Sequence, residues 1–498
     1  MQAPIFEALK NYINEGIIPF HVPGHKQGRG LPEFVDFVGE NVLKMDLTCL
    51  PDTDNICNAI GPIKEAEQLA AEAYGADKAF FLVNGTTSGI QSMIMSVCNP
   101  GEKIIMPRNA HKSAIGGLIL SGAIPVYMEP EIHPEFGIAM CITPENVARS
   151  LNQHPDAKAV FVVYPTYYGA IADLINIVKI AHSYNVPVIV DEAHGGHLKF
   201  HHCLPLSAIE AGADLVASST HKLVGSMTQS SVLLVNEGLV NPMSVKAVMN
   251  ITQSTSPSYV LLSSLDLARK QMAVQGRELM EKVLELSFLI RREISAIKGY
   301  KLMGENVVGE YGCIGFDPAK ITVNVTGLGM SGYQMEQLLR SKYKIQVELS
   351  DLYNVIFIIT VGDNMNTVRR LIEALKDIAQ GCSPEKVVRF CPPLPAIPEV
   401  AVPPREAFYY NQTKSVPLQD SVGEISAESI MAYPPGIPLI CPGERISQEI
   451  VDYVHILKQE HAELQGTEDI SINNIKVLSR YLVLIPRNEQ EVSEGNVG

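Results

Sequence analysis

From about residue 78 to residue 237 the chain alternates short apolar runs with longer segments of amphipathic or small-residue character. The runs are "KAFFLVNG", "KIIMPR", "AIPVYMEP", "AVFVVYP", "VPVIVDEAHG", "ADLVASS" and "SSVLLVNE". Each has strand length, and "TTSGIQSMIMSVC" and "LINIVKIAHSY" between them suit helices. Near-continuous apolar strands with helical crossovers predict an α/β fold, a mostly parallel sheet covered on both faces. Ligands of such sheets bind at the carboxyl ends of the strands. From about Ser263 to Ile297 the pattern predicts one long connecting helix. A smaller α+β unit follows, with strands near "KITVNV" and "NVIFIIT" and a helix near "TVRRLIEALKDIAQ". The proline-rich stretch "RFCPPLPAIPEVAVPPREAF" then breaks the rhythm and predicts a boundary. The expected division is an N-terminal arm (1–60), a large domain (61–290), a small α+β domain (291–385) and a C-terminal domain (386–498).

Composition narrows the classes of function. The chain has 498 residues, 46% hydrophobic and 19% charged, the balance of a globular protein with a sizeable core. A net charge of −15 without blocks of like charge argues against nucleic acid as a partner, because phosphate binding wants a basic footprint. It is compatible with a cationic small substrate. The N-terminus lacks the basic and apolar regions of a signal peptide, and no run has the length of a membrane helix, so no membrane association is expected. Nine scattered cysteines without a CxxC pair read as free thiols, which fits a cytoplasmic location.

Three features end predicted strands of this one sheet. "NGTTSG" follows "AFFLV" and opens a helix, so Gly85 lets the backbone approach an anion and Thr86, Thr87 and Ser88 can bind phosphate. Taken alone, such a turn serves equally as a helix cap. Asp191 in "VIVDEAHGG" ends a strand too apolar for an idle carboxylate, although a turn role would also explain it. Lys222 in "SSTHKLVGSMTQSS" follows "ADLVASS"; a lysine facing a cleft is desolvated and becomes nucleophilic, whereas an exposed one is only a surface charge. Together, an anion cradle, a buried carboxylate and a lysine meet the requirements of pyridoxal phosphate. Ala193 is small enough to lie under its ring, and His111, after "KIIMP", can stack on the other face. "DEAHGGHLKFHHC" gathers His194, His197, His201, His202 and Cys203 at a spacing that could hold zinc. The plainer expectation is no metal, with His194 in the cofactor site and the others on a surface segment.

The sequence resembles the bacterial ornithine/lysine/arginine decarboxylases of the aminotransferase fold (fold type I), in particular the short biosynthetic arginine decarboxylases. The matching stretches are "PFHVPGHKQG" (20–29), "FLVNGTTSG" (81–89), "PRNAHKSA" (107–114), "VDEAHGGH" (190–197), "SSTHKLVGSMTQSS" (218–231), "STSPSY" (254–259), "VELSD" (347–351) and "YPPGIPLICPGE" (433–444). The resemblance implies a C-terminal decarboxylase domain, Lys222 as the Schiff-base lysine, Asp191 against the pyridine nitrogen and His111 stacked on the ring. It assigns Thr86, Thr87, Ser219 and His221 to the phosphate, and Ala193 and His194 to the opposite face. Lys222 or His221 would return a proton to the α-carbon. Thr255 or Ser256 would reach a partner subunit's cofactor in a homodimer with shared sites, and Glu424 would lie near the distal cation of the substrate. Implied are decarboxylation of arginine to agmatine for polyamine biosynthesis, or of lysine or ornithine to cadaverine or putrescine. Arg369, Arg370, Arg389 and Arg405 keep a carboxylate-clamping transaminase open, and a non-catalytic ligand-binding regulator on the same fold is a further alternative. One stretch departs from the family pattern: Asn55, Cys57 and Ala59 stand in "DNICNAIGPIKEAE" where many members read Asp-Asp-Leu-His-Ala-Pro.

Overall fold

The computed structural model describes residues 2–382, 394–433 and 436–479. Its centre is a seven-stranded sheet built from the seven apolar runs: β1 (Lys78–Leu82), β2 (Lys103–Pro107), β3 (Ile124–Met128), β4 (Ala159–Val163), β5 (Val188–Asp191), β6 (Leu215–Ser218) and β7 (Ser231–Val235). The spatial order is β1-β7-β6-β5-β4-β2-β3. Neighbours from β6 through to β3 are parallel, and β7 runs antiparallel to both β1 and β6. The sheet is therefore mostly parallel, as the pattern predicts. The reversed strand returns from β6 through residues 219–230, a connection that carries one short helical turn, Thr220–Leu223, and no helix long enough to cover the sheet as a crossover. Central strands are buried along their whole length, so neither face could tolerate alternating polar residues.

This topology brings the carboxyl ends of β1, β2, β4, β5 and β6 to one edge. The helix Gly85–Val97 is pulled tightly onto the sheet at Gly89, where a Cβ would lie 2.7 Å from Leu82 and 3.2 Å from Ala217. That close approach holds its N-terminus over the strand ends. The long helix runs from Tyr259 to Ser295, four residues earlier at its start than the pattern predicts; Ser258 caps it by accepting from the Leu261 N–H.

A second, four-stranded antiparallel sheet carries Lys301–Leu302, Lys320–Asn324, Asn354–Ile358 and Leu349–Ser350, and the helix Met365–Gly381 follows it. The helix Gly332–Leu338 seats so closely on it that a Cβ at Gly332 would fall 2.0 Å from the Asn354 carbonyl oxygen. Gly332→Ala should therefore destabilise the chain by about 1–3 kcal/mol or more, read as a lower urea midpoint.

The C-terminal part holds a two-stranded and a three-stranded sheet with the helix Gln448–Gln459. The expected proline-rich boundary lies partly outside the described residues, as do Arg389 and the two prolines at 434 and 435. Among the described residues no helix is long and apolar enough to cross a membrane.

Candidate active site

Lys222 sits in a short helix, Thr220–Leu223, directly after β6, with Leu223 and Val224 buried behind it. Its Nζ lies 2.8 Å from His194 Nε2. Burial pushes the amine below its ordinary value, and the carboxylates of Asp191 and Glu348 only partly oppose this. Asp191 ends β5 beside β6 and is buried. Its Oδ1 accepts the Ala193 N–H at 3.0 Å, and among the described residues no donor meets Oδ2. Burial raises this carboxyl, with the Ala193 bond and Lys222 in partial opposition. A buried carboxylate at a strand end, with one oxygen left over, suits a protonated ring nitrogen.

The stretch expected to hold an anion forms the N-terminus of the helix Gly85–Val97. Gly85 adopts φ +70°, and a Cβ there would meet nothing within 4 Å. Asn84 offers no side-chain cap, and no acidic residue occupies the first helical turn of Thr86, Thr87 and Ser88. Their N-terminal amides and the helix dipole are thus left for an external anion. Thr86 Oγ1 bonds Ser231 Oγ at 2.8 Å and also contacts Ser219 Oγ, so hydroxyls from the start of β7 and from the residue after β6 meet at this end. Ser88 Oγ instead donates to the Gly85 carbonyl at 2.9 Å.

His111 caps the helix Lys112–Ser121, its Nδ1 accepting from the Ser113 N–H at 3.2 Å. Burial and the nearby Lys222 and Lys112 push its ring down to about 4, so it presents a neutral face. The C-terminal part presses on it: Lys112 N–H donates to the Gly436 carbonyl at 2.9 Å, and a Cβ on Gly436 would lie 3.1 Å from His111 Nε2. His221 is turned away from Lys222, with Nδ1 on the Ser230 carbonyl at 2.8 Å; burial, chiefly, lowers its ring.

Three groups escaped the sequence reading. Lys320, on the small sheet, is buried and touches His194 Nδ1. Tyr167 packs edge-on against His194 with ring centres 5.3 Å apart. Glu348 lines, with His221 and Lys222, a cleft of about 620 Å³ that also includes Arg370. Only the stretch "VELSD" hinted at Glu348; nothing in "FDPAKITV" distinguishes Lys320 from a surface lysine.

Other expected residues lie elsewhere. Glu424 pairs with Lys414 at 2.6 Å on the C-terminal part. Ser256 is exposed in a loop, its N–H on Ser254 Oγ at 3.2 Å. Arg405 donates to the carbonyls of Ile119 and Leu120, and Arg369 is exposed. The surface placement expected for the remaining histidines is corrected for two of them. His197 is fully buried on Asp317 at 3.1 Å, and His201 is buried on Glu281 at 2.8 Å. The two HxxxH rings thus turn to different carboxylates; His201, His202 and Cys203 keep their donor atoms within 4.8 Å of one another. In the unusual stretch Asp54 accepts N–H bonds from Asn55, Ile60, Gly61 and Ile63, and Asn55 caps Cys57 at 2.9 Å. Lys246 and Asn250 hold the carbonyls of Ile56 and Cys57, so this loop packs on the helix Pro242–Thr252.

The residues present fit pyridoxal phosphate: an uncapped helix N-terminus for the phosphate, Asp191 Oδ2 for the ring nitrogen, His111 and Ala193 for the ring faces, and a desolvated lysine amine. Comparison with known proteins gives the family. Residues 3–367 match the Orn/Lys/Arg decarboxylase major domain, and residues 393–471 match the C-terminal domain of the same family. The chain is 46% identical over 480 residues to an arginine decarboxylase of Bacillus subtilis (strain 168), covering 96% of this chain and 98% of that protein. It is 27% identical to the lysine decarboxylase LdcA of Pseudomonas aeruginosa, over 91% of this chain and 76% of that one. Among solved structures, the Francisella novicida lysine decarboxylase LdcF superimposes with a TM-score of 0.81 at 23% identity, over 96% of this chain and 81% of that chain.

Proposed function

Because the chain belongs to the Orn/Lys/Arg decarboxylase family, we propose that it decarboxylates a basic amino acid with pyridoxal phosphate, taking arginine to agmatine and CO2 in polyamine biosynthesis. The observation that carries this reading is the meeting of a burial-depressed Lys222 amine, the half-free Asp191 carboxylate and an uncapped helix N-terminus at one sheet edge. Arginine is favoured over lysine or ornithine by the 46% identity to a curated arginine decarboxylase, against 27% to a lysine decarboxylase.

The chain's own residues would act as follows. Thr86, Thr87, Ser219 and the helix amides bind the phosphate. Bound at Lys222, the cofactor supplies an electron sink for the bond to the departing carboxylate. Asp191 holds the proton on the ring nitrogen that makes that sink effective, since its buried carboxylate gains by pairing with a cation. His111, neutral and pinned by Gly436, covers one ring face and keeps water out. Lys222 is freed when substrate arrives and stands as the proton carrier for the α-carbon; His221, held on the Ser230 carbonyl, is the second candidate.

A carboxylate should meet the distal cation. Glu348 contributes to the field at Lys222, His221 and Lys320, and among the described residues no ion pair holds it. Glu348→Gln should raise KM for arginine about 10-fold with little change in kcat, the loss of one charged hydrogen bond. Glu424→Gln, measured beside it, ranks the two carboxylates. The assembly would be a homodimer in the cytoplasm. Phe20 is 94% exposed and Phe37 89%, and Ile18 and Val22 are exposed too, apolar side chains of the N-terminal arm that a second copy would cover. The deciding experiment is a substrate panel: arginine, lysine and ornithine with evolved CO2 and product amine measured. Turnover of arginine is expected; no CO2 from any of the three would overturn the reading.

A further inference from the structure

His194 stands between two lysines, and its ring cannot serve two ammonium groups at once. Lys222 Nζ lies 2.8 Å from Nε2, and Lys320 Nζ touches Nδ1. Burial, above all, and positive charge on a neighbouring lysine hold the ring neutral, well below its ordinary range. A neutral imidazole has one N–H and one bare nitrogen. The bare nitrogen can accept from an ammonium, but the N–H must donate to something with a lone pair. Among the described residues the partner on that side is a lysine amine, which accepts only without its third proton. At most one of the two lysines can therefore be charged.

We propose that Lys320 is a positioning residue that sets the protonation state of Lys222 through His194, storing the proton that Lys222 must shed to become a nucleophile. In one state Lys222 is the ammonium and donates to Nε2, while Nδ1–H donates to the neutral amine of Lys320. In the other, Lys222 has given a proton to Nε2 and Nδ1 has given its own to Lys320. One N–H bond breaks and one forms on each side of the ring, and the total charge is unchanged. Lys222 is left with its lone pair without any proton entering from solvent. This role for Lys222 rests on the proposed anchoring of the cofactor there.

Burial and charges of both signs act on both amines. Lys320 is 1% exposed and burial lowers it to about 7, with Glu348 and Asp317 opposing and Lys222 reinforcing that fall. Asp317 is in turn shared with His197 at 3.1 Å. On the other side Lys222 faces Asp191 and Glu348, with His111 and His221 beside His194. From the long helix Arg291 contacts the Lys320 carbonyl and so fixes the backbone rather than the amine. The Lys320 stem is tightly held: a Cβ on Gly169 would lie 2.9 Å from its Cβ. A side chain packed this closely is poorly placed to exchange its proton with solvent, and His194 is its route.

The test reads Lys222 in the cofactor-free protein, so it does not depend on which substrate is used. Trace acetic anhydride is applied across a pH series, and acetylation of the Lys222 peptide is measured by mass spectrometry against exposed lysines. Lys320→Met removes the second amine, letting Lys222 stay an ammonium on Nε2; its titration should move up by about one pH unit. Lys320→Arg is always charged and must donate to Nδ1, so Nε2 carries the hydrogen and Lys222 is forced neutral; its titration should move down. Shifts of opposite sign support the relay. No shift, or shifts of the same sign, would overturn it, since a merely structural lysine would loosen the site alike in both. Should neither variant fold, the wild-type protein with ¹⁵N-histidine decides, His194 being assigned through His194→Gln. One protonated and one bare ring nitrogen are expected, and a doubly protonated ring above about pH 6.5, the ordinary imidazole value, would overturn the proposal.

Discussion

Lys222→Ala protein, incubated with pyridoxal phosphate and desalted, should keep no cofactor that borohydride can fix, and its decarboxylation rate should fall by at least about 10³-fold. The expectation follows from position more than from residue type. Lys222 follows β6, one strand from Asp191, and its amine is the desolvated one that faces the cleft. Asp191→Asn is the informative companion. It should retain the borohydride-fixable cofactor yet lose roughly 10²–10³-fold in rate, because the amide keeps the shape but not the charge that holds the ring proton. The pair of results separates anchoring from activation. Cofactor still fixed in Lys222→Ala would move the anchor to another lysine, and Lys320, buried on the far side of His194, would be tested next with Lys320→Met.

How far these residues could be read in the chain depends on whether their signal was local. The seven strands of the large sheet were legible because each is a continuous apolar run, and buried parallel strands leave no other mark. Asp191 and Gly85 could be singled out as a charge and a glycine at the end of such a run. The reversal of β7 was not predicted, because residues 219–230, which join it to β6, are about as long as a crossover and carry no local mark of direction. Lys320 was invisible for a different reason. It comes from a strand of the small sheet more than a hundred residues after His194, and only tertiary packing makes its amine meet that ring. His197 and His201 were misjudged as surface groups because their carboxylate partners, Asp317 and Glu281, are likewise distant in sequence. The role of Glu444 was hidden too, inside a stretch that reads as a turn.

That glutamate carries the second large effect: Glu444→Ala should destabilise the protein by about 3–5 kcal/mol, the usual consequence of stranding one partner of a buried ion pair. Arg108 and Glu444 are 8% and 1% exposed, with Nη2 and Oε2 2.9 Å apart. Arg108 also donates to the carbonyls of Pro438 and Leu439, and Glu444 accepts the Cys441 N–H at 2.8 Å. Without the carboxylate, a guanidinium would stay buried on two neutral carbonyls. The chain has no tryptophan, so unfolding in urea is followed by far-ultraviolet circular dichroism or tyrosine emission. The effect should also reach the site. Arg108 lies three residues before His111, and the carbonyls it holds lie just beyond Gly436, which presses on that ring. Activity should therefore fall at urea concentrations below the global transition. Arg108→Met/Glu444→Leu, which removes both charges, should recover most of the stability, because no uncompensated ion remains. It should recover less of the activity, because the bonds from Arg108 to Pro438 and Leu439 that draw the C-terminal part over His111 are gone. A double variant as active as the wild type would mean that the ion pair only holds the two parts together and has no share in positioning His111.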